Sequence, residues 1–158
     1  MGQLGRLVEL SAADATALQA LFGRCEAFFR LVHGAPPRPD EAERFLRAEG
    51  AAGTVFGLLD DEGRLVGAVD LTPDQPEPGE WHLGTMVIEP SIRGVGLGAD
   101  FHAKVLRYAR GRGARAVQLR VAGENPGAVR FWARAGYEEV GRGTAEDGRA
   151  VVRMRLVL

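Results

Sequence analysis

The chain has one cysteine in 158 residues, three histidines, and aromatic side chains at only 7%. Cys25 has no partner for an internal disulfide, so covalent stapling is excluded as a source of stability. It falls in an apolar helical stripe and reads as a core residue rather than a nucleophile. No apolar run is long enough to cross a bilayer and no leader-like segment is evident, so no membrane association is expected and a reducing cytoplasm is the expected location. No charge of one sign dominates. Lys+Arg total 20 against Asp+Glu 21, a formal net charge of -1, which removes any bulk electrostatic argument for nucleic acid or an anionic membrane as partner. Repeats, low-complexity tails and linkers are also missing. The length suits one domain over residues 1–158, large enough to bury a core without disulfide or metal. Arginine outnumbers lysine, a bias we read as genomic composition rather than function.

What the chain does have is a stretch around which the rest is arranged. Trp81 to Gly98 begins as an apolar run of strand character, breaks at Pro90, and ends in Gly94, Gly96 and Gly98. An apolar stripe at helical spacing follows at once: Ala99, Phe101, Ala103, Val105, Tyr108 and Ala109. Glycines between a strand end and a helix start let backbone N–H groups approach an anion that side chains would hold off. Those N–H groups are also the unpaired donors of the helix's first turn, aligned with its dipole. The stretch therefore reads as a pyrophosphate cradle.

The remaining pattern alternates strands and helices. Residues 4–10 read as a strand, and Ser11 to Asp14 as a capping-box-like helix start with Ala15, Leu18, Leu21 and Phe22 on one face. A second stripe (Cys25, Phe28, Phe29, Val32) closes at Gly34. After a stiff proline-rich connection, Pro39 suits the first turn of a third, short helix with Ala42, Phe45 and Leu46 on its apolar side. Residues 54–59 and 64–72 form a hairpin about Asp60–Gly63, and the prolines of residues 73–80 mark a loop. Residues 116–122 are a further strand, Asn125-Pro126 a capped helix start, and residues 137–141 and 150–158 a closing hairpin. The order is β-α-α-(α)-β-β-β-α-β-α-β-β.

Arg93-Gly94-Val95-Gly96-Leu97-Gly98 fits the pattern Arg/Gln-x-x-Gly-x-Gly/Ala after a strand ending Ile88-Glu89-Pro90, and resembles the acyl-CoA-binding signature of the GCN5-related N-acetyltransferases (GNAT). Asn125 to Tyr137 resembles that family's second signature, Asn-x-x-Ala-x-x-Phe-Tyr-x-x-x-Gly-Phe, and the element order matches over essentially the whole chain. The resemblance implies an α/β fold of the α+β type, with a mixed, mostly antiparallel sheet of about seven strands flanked by helices. It implies acetyl-CoA as co-substrate, no metal, acetyl transfer to a primary amine of a small molecule or peptide, and homodimerisation as in many relatives. Backbone groups of Met86, Val87 and Ile88 would pair with the pantetheine arm, with a β-bulge at that point and one N–H facing the thioester carbonyl. Arg93, Gly94, Val95, Gly96, Leu97 and Gly98 would hold the pyrophosphate, and Asn125, Phe131 and Trp132 the rest of the CoA groove. Trp132 stands where many relatives carry a tyrosine that protonates the leaving thiolate, and an indole N–H is no useful proton source.

Direct attack needs a neutral amine, and a lysine-like amine with pKa about 10.4 is mostly protonated at pH 7. On the central strand Glu80, His82, Gly84, Met86 and Ile88 alternate onto one face. In the histone-modifying branch of the family a glutamate base lies on this strand, and the matching position here is His82. Glu80, beside the proline-rich loop, is the other candidate and reads as an exposed loop-end carboxylate. Asp70, Asp74, Glu77 and Glu80 form an acidic cluster in sequence that could attract a cationic amine. Two other functions are open. Trp132 admits a catalytically silent acyl-CoA-binding regulatory module. More distantly, residues 94–99 also satisfy Gly-x-Gly-x-x-Gly/Ala, with Glu124 as the ribose acid of a dinucleotide-binding oxidoreductase. The loop at residues 90–93, the late Glu124 and the short remaining chain argue against it.

Overall fold

A computed structural model describes residues 5–92, 96–123 and 125–158. Seven strands form one sheet: β1 (Arg6–Glu9), β2 (Thr54–Leu59), β3 (Leu65–Thr72), β4 (Glu80–Ile88), β5 (Ala116–Ala122), β6 (Glu138–Thr144) and β7 (Ala150–Val157). Their spatial order is β1-β2-β3-β4-β5-β7-β6. All neighbours are antiparallel except β4 and β5, which are parallel. Parallel neighbours need a crossover, and α4 (Leu97–Gly111) supplies it. The other helices are α1 (Ala15–Arg24), α2 (Glu26–His33), α3 (Glu41–Ala52) and α5 (Pro126–Arg134). The third helix is a full element of 12 residues rather than the short one expected. The fourth begins at Leu97, two residues before its apolar stripe.

The apolar pattern divides between the sheet's two faces. Leu18, Leu21 and Phe22 of α1, Phe29 of α2, and Ala42 and Leu46 of α3 bury against Val55, Ala68 and Val87 on one face. Cys25 is buried among them. Phe101, Val105 and Ala109 of α4 and Trp132 of α5 bury against Phe56, Leu71, Trp81, Leu83 and Val117 on the other. All eight residues of β3 are buried, as expected of a strand covered on both faces. No helix among the described residues is long and apolar enough to cross a membrane.

Two irregularities in β4 shape everything downstream. First, Val69 pairs with Met86 and Leu71 with Leu83, so Asp70 alone on β3 faces both Gly84 and Thr85 on β4. This is a β-bulge, and one extra residue inverts the alternation beyond it. Met86 and Ile88 therefore pack with Leu83 against the α4 side, while Val87 joins the α1–α3 side. The expected single face of Glu80, His82, Gly84, Met86 and Ile88 is thus broken: His82 and Gly84 alternate with Trp81 and Leu83 and lie across the strand from Met86 and Ile88. Second, β4 pairs with β5 only over Glu80, His82 and the Trp81 between them. Beyond His82 and its partner Gln118 the two strands part, leaving a notch in the middle of the sheet.

Candidate active site

The notch opens into a cleft of about 610 Å³. Met86 and Ile88 line it from β4, Gly96, Gly98 and Ala99 from the start of α4, Asn125 and Phe131 from α5, and Phe28 from α2. Helices from both faces of the sheet wall one cleft, which is feasible only where the sheet itself is open. The lining brings together Met86, Ile88, Gly96, Gly98, Asn125, Phe131 and Trp132, seven of the positions the sequence singles out. Val87 and Leu97 turn their side chains into the two cores, 1% and 5% exposed, so only their main-chain groups are available to a ligand. Arg93, Gly94, Val95 and Glu124 lie outside the described residues.

Local chemistry positions the walls. Gly96 precedes α4 with φ 80°, a left-handed conformation that side chains disfavour. Four N–H groups at the start of α4 have no helical acceptor. A Cβ on Gly98 would sit 3.4 Å from the Phe131 ring, about van der Waals contact, so the start of α4 lies directly beside that ring. Asn125 caps α5, its Oδ1 accepting the Ala128 N–H at 3.1 Å, with Pro126 at the first helical position. Sequence reasoning passed over Glu89, which is 2% exposed at the end of β4. It accepts hydrogen bonds from Arg24 and from Ser91 Oγ (2.7 Å) and is ion-paired with Arg64 at 2.9 Å. Burial pushes its carboxyl up, but Ser91, Arg24 and Arg64 together hold it below the usual range, an anchored strand end directly before the glycine turn. The only sequence signal was a carboxylate at a strand terminus.

Trp132 is edge-on to Phe131 (centroids 4.9 Å), His102 (5.2 Å) and Tyr137 (5.3 Å). Behind it, His102 Nε2 and the Tyr137 hydroxyl are 2.9 Å apart. Burial lowers the His102 pKa to about 4 and raises that of Tyr137. The pair is therefore neutral at physiological pH and holds the indole in place. Among the described residues, none of those lining the cleft carries a hydroxyl or thiol. A thiol of roughly cysteine-like pKa, about 8.5, can leave as thiolate with solvent assistance alone.

The two base candidates separate sharply. Glu80 is not an exposed loop-end carboxylate: it begins β4, is 8% exposed, and is clasped by Arg155 through two bonds of 2.9 and 2.6 Å and by Gln118 at 2.6 Å. The Arg155 and Gln118 hydrogen bonds lower its pKa to about 2, which leaves it almost no affinity for a proton at neutral pH. It ties β4 to β5 and β7 where the notch begins. His82 is half-buried beside that clasp. Burial and then Arg120 lower its pKa, against an upward pull from Glu49, so it is neutral at pH 7 and free to accept a proton. It borders a second hollow of about 270 Å³.

The acidic cluster seen in sequence does not exist in space as one surface. Glu80 belongs to Arg155, and Asp74 accepts the Gly79 N–H at 2.9 Å. Asp70 is 3% exposed and accepts the Thr85 N–H at 2.6 Å within the bulge. Burial, and then Glu49 of α3, raise its pKa to about 6 despite the Thr85 bond. A folded value above the unfolded one of 3.8 means that the protonated form is favoured. The associated stability is present below about pH 4 and lost as pH rises through about 6. Asp70→Asn keeps an acceptor for Thr85 and removes the charge. It should stabilise the fold by about 1–3 kcal/mol at about pH 8 and have little effect at about pH 4, which thermal melts at the two pH values will read.

The profile of the acetyltransferase (GNAT) family matches residues 17–137. Mycothiol acetyltransferase of Thermobispora bispora is 34% identical over 122 residues, 77% of this chain and 36% of that protein. The chain spans between about a quarter and a third of the length of the curated relatives it matches. An acetyltransferase from Thermus thermophilus superposes with TM-score 0.85 at 25% identity, covering 100% of both chains. Spermidine N-acetyltransferase from Vibrio cholerae, solved with CoA and spermine, superposes with TM-score 0.78 at 23% identity, covering 99% of this chain and 96% of that one. The chain belongs to the GNAT family of acetyltransferases. A doubly wound dinucleotide fold is ruled out as well, since its sheet would be parallel and only β4–β5 is.

Proposed function

We propose that the chain transfers the acetyl group of acetyl-CoA to a primary amine of a small molecule or peptide by direct attack. The observation that carries this reading is the notch, flanked by an apolar cleft on one side and a neutral histidine on the other. The cleft would take acetyl-CoA, with Met86, Val87 and Ile88 offering main-chain groups to the pantetheine arm. Gly96, Leu97 and Gly98, with Arg93, Gly94 and Val95 before them, would meet the pyrophosphate, and Asn125, Phe131 and Trp132 would close the groove. The amine would enter from the His82 side. Its nitrogen bonds to the thioester carbon, the C–S bond breaks, His82 takes the ammonium proton, and the thiolate departs to be protonated by water. N–H groups of β4 beyond the bulge would hold the oxyanion.

Calorimetric titration with acetyl-CoA tests the reading. Gly96→Glu adds a carboxylate at the cradle and forces a side chain into a left-handed backbone. It should weaken acetyl-CoA binding about tenfold or more, since one lost charge-assisted contact alone is worth about 1.5–3 kcal/mol. Absence of any acetyl-CoA binding by the wild type sinks the proposal. A silent acyl-CoA-binding module is the second reading, favoured by an indole at Trp132 in the cleft wall where many relatives carry a tyrosine. Binding without product across a broad amine panel would select it.

A further inference from the structure

The hollow beside His82 is bounded also by Gln75, Pro76, Gln118, Arg120 and Arg153. Arg120 on β5 and Arg153 on β7 face each other directly across the antiparallel ladder, and Gln118 and Arg155 are the next such pair. Residues opposite each other share a face, so the row Glu80, His82, Gln118, Arg120, Arg153, Arg155 occupies one side of the sheet. Arg155 is neutralised by Glu80. Arg120 and Arg153 are both exposed, and among the described residues neither has a carboxylate within ion-pair distance. Two like charges placed directly opposite destabilise a sheet, and among the described residues no ion pair offsets them. On β6, Gly141 is paired with Arg153, and a Cβ there would collide with its guanidinium, so the neighbouring strand leaves room for that side chain. On the β3 side of His82 the charge is reversed: α3, which carries Glu49, packs there on β2 and β3. Arg120 lies two residues past Gln118, about 7 Å along the strand.

Resting on the acetyl-transfer reading above, we propose that Arg120 and Arg153 form a carboxylate subsite, so that the acceptor carries an acid group close to its reactive amine. The amine lies toward Glu49 and His82 and the carboxylate between the two guanidinium groups, which present planar donors suited to it. A polyamine meets two cations at this place and is disfavoured.

The test compares ligands that differ in charge and little else. CoA-loaded wild type and the Arg120→Gln/Arg153→Gln double variant are titrated with N-acetyl-L-amino acids, with their carboxamides, and with N-acetyl phosphoethanolamine. The wild type should bind acids about 10- to 100-fold more tightly than amides, the range of a charged hydrogen bond or two. The double variant should lose that difference with a Tm equal to or above wild type, since a like-charge pair is removed. Equal binding of acid and amide overturns the subsite, as does a preference that survives both substitutions. Tighter binding of the phosphate compound than of every acid overturns the carboxylate assignment. Acetyl-CoA calorimetry on the same wild-type sample separates the two failures. Loss of acetyl-CoA binding is a failure of the acetyl-transfer reading, whereas acetyl-CoA binding without acid preference is a failure of the subsite alone.

Discussion

His82→Ala is expected to lower kcat about 10²- to 10⁴-fold at pH 7, the usual contribution of a positioned general base, and to leave acetyl-CoA affinity unchanged. The imidazole stands at the last paired residue before the notch and does not line the acetyl-CoA cleft, so its removal touches the proton and not the donor. The pH dependence carries the sharper signature. Burial and Arg120 depress the His82 pKa below its ordinary 6.5. The wild-type rate should therefore rise with pH through a value under 6.5 and hold above it. In the alanine variant that acidic limb disappears. Its deficit then shrinks toward high pH, because the fraction of free amine grows as pH approaches about 10.4. Initial rates from about pH 5 to about pH 10 decide the matter. A variant with wild-type turnover throughout removes His82 from the chemistry.

Gly84→Ala should be the most damaging small substitution in the sheet. A Cβ at this position collides with the Asp70 carboxyl, which is buried and bonded to the Thr85 N–H at 2.6 Å. Either Asp70 swings away and leaves a buried N–H and a carboxyl without their partner, or β4 shifts out of register with β3. Overpacking of this kind costs about 1–3 kcal/mol, and the lost buried hydrogen bond about the same again. The expected total of about 2–6 kcal/mol is a large share of a typical stability of about 5–15 kcal/mol. Asp70→Ala in the same chain removes the obstacle, so the double variant should be more stable than Gly84→Ala alone, a non-additivity typical of touching residues. It should still turn over slowly, since the bulge that inverts Met86 and Ile88 loses its Asp70 pin. A Tm for Gly84→Ala equal to wild type would show that the bulge is not tightly held there.

The sequence by itself determined what depends on neighbouring residues. Glycines at 94, 96 and 98 before an apolar helical stripe, Asn125-Pro126 at a helix start, and the turn at Asp60–Gly63 are backbone statements made by a few consecutive side chains. They sufficed for the family, the element order and most of the cleft lining. The extent of α3 was less legible: Gly50 weakens its helical pattern, and packing of Ala42 and Leu46 against the sheet carries the helix on to Ala52.

Only the tertiary structure decided which faces meet. The resemblance implied a bulge in this strand, but its place opposite Asp70 is set by pairing with β3, and there it reverses the side chains after it and separates His82 from Met86 and Ile88. Glu80 looked like a base because Arg155, which clasps it, lies 75 residues later in the chain. The acidic cluster dissolved for the same reason, Asp70 and Glu80 finding partners set by folding rather than by sequence proximity. The juxtaposition of Arg120 and Arg153 exists because β7 lies between β5 and β6, a strand order no local pattern encodes. Charge and register act through space, and only the folded chain fixes those distances.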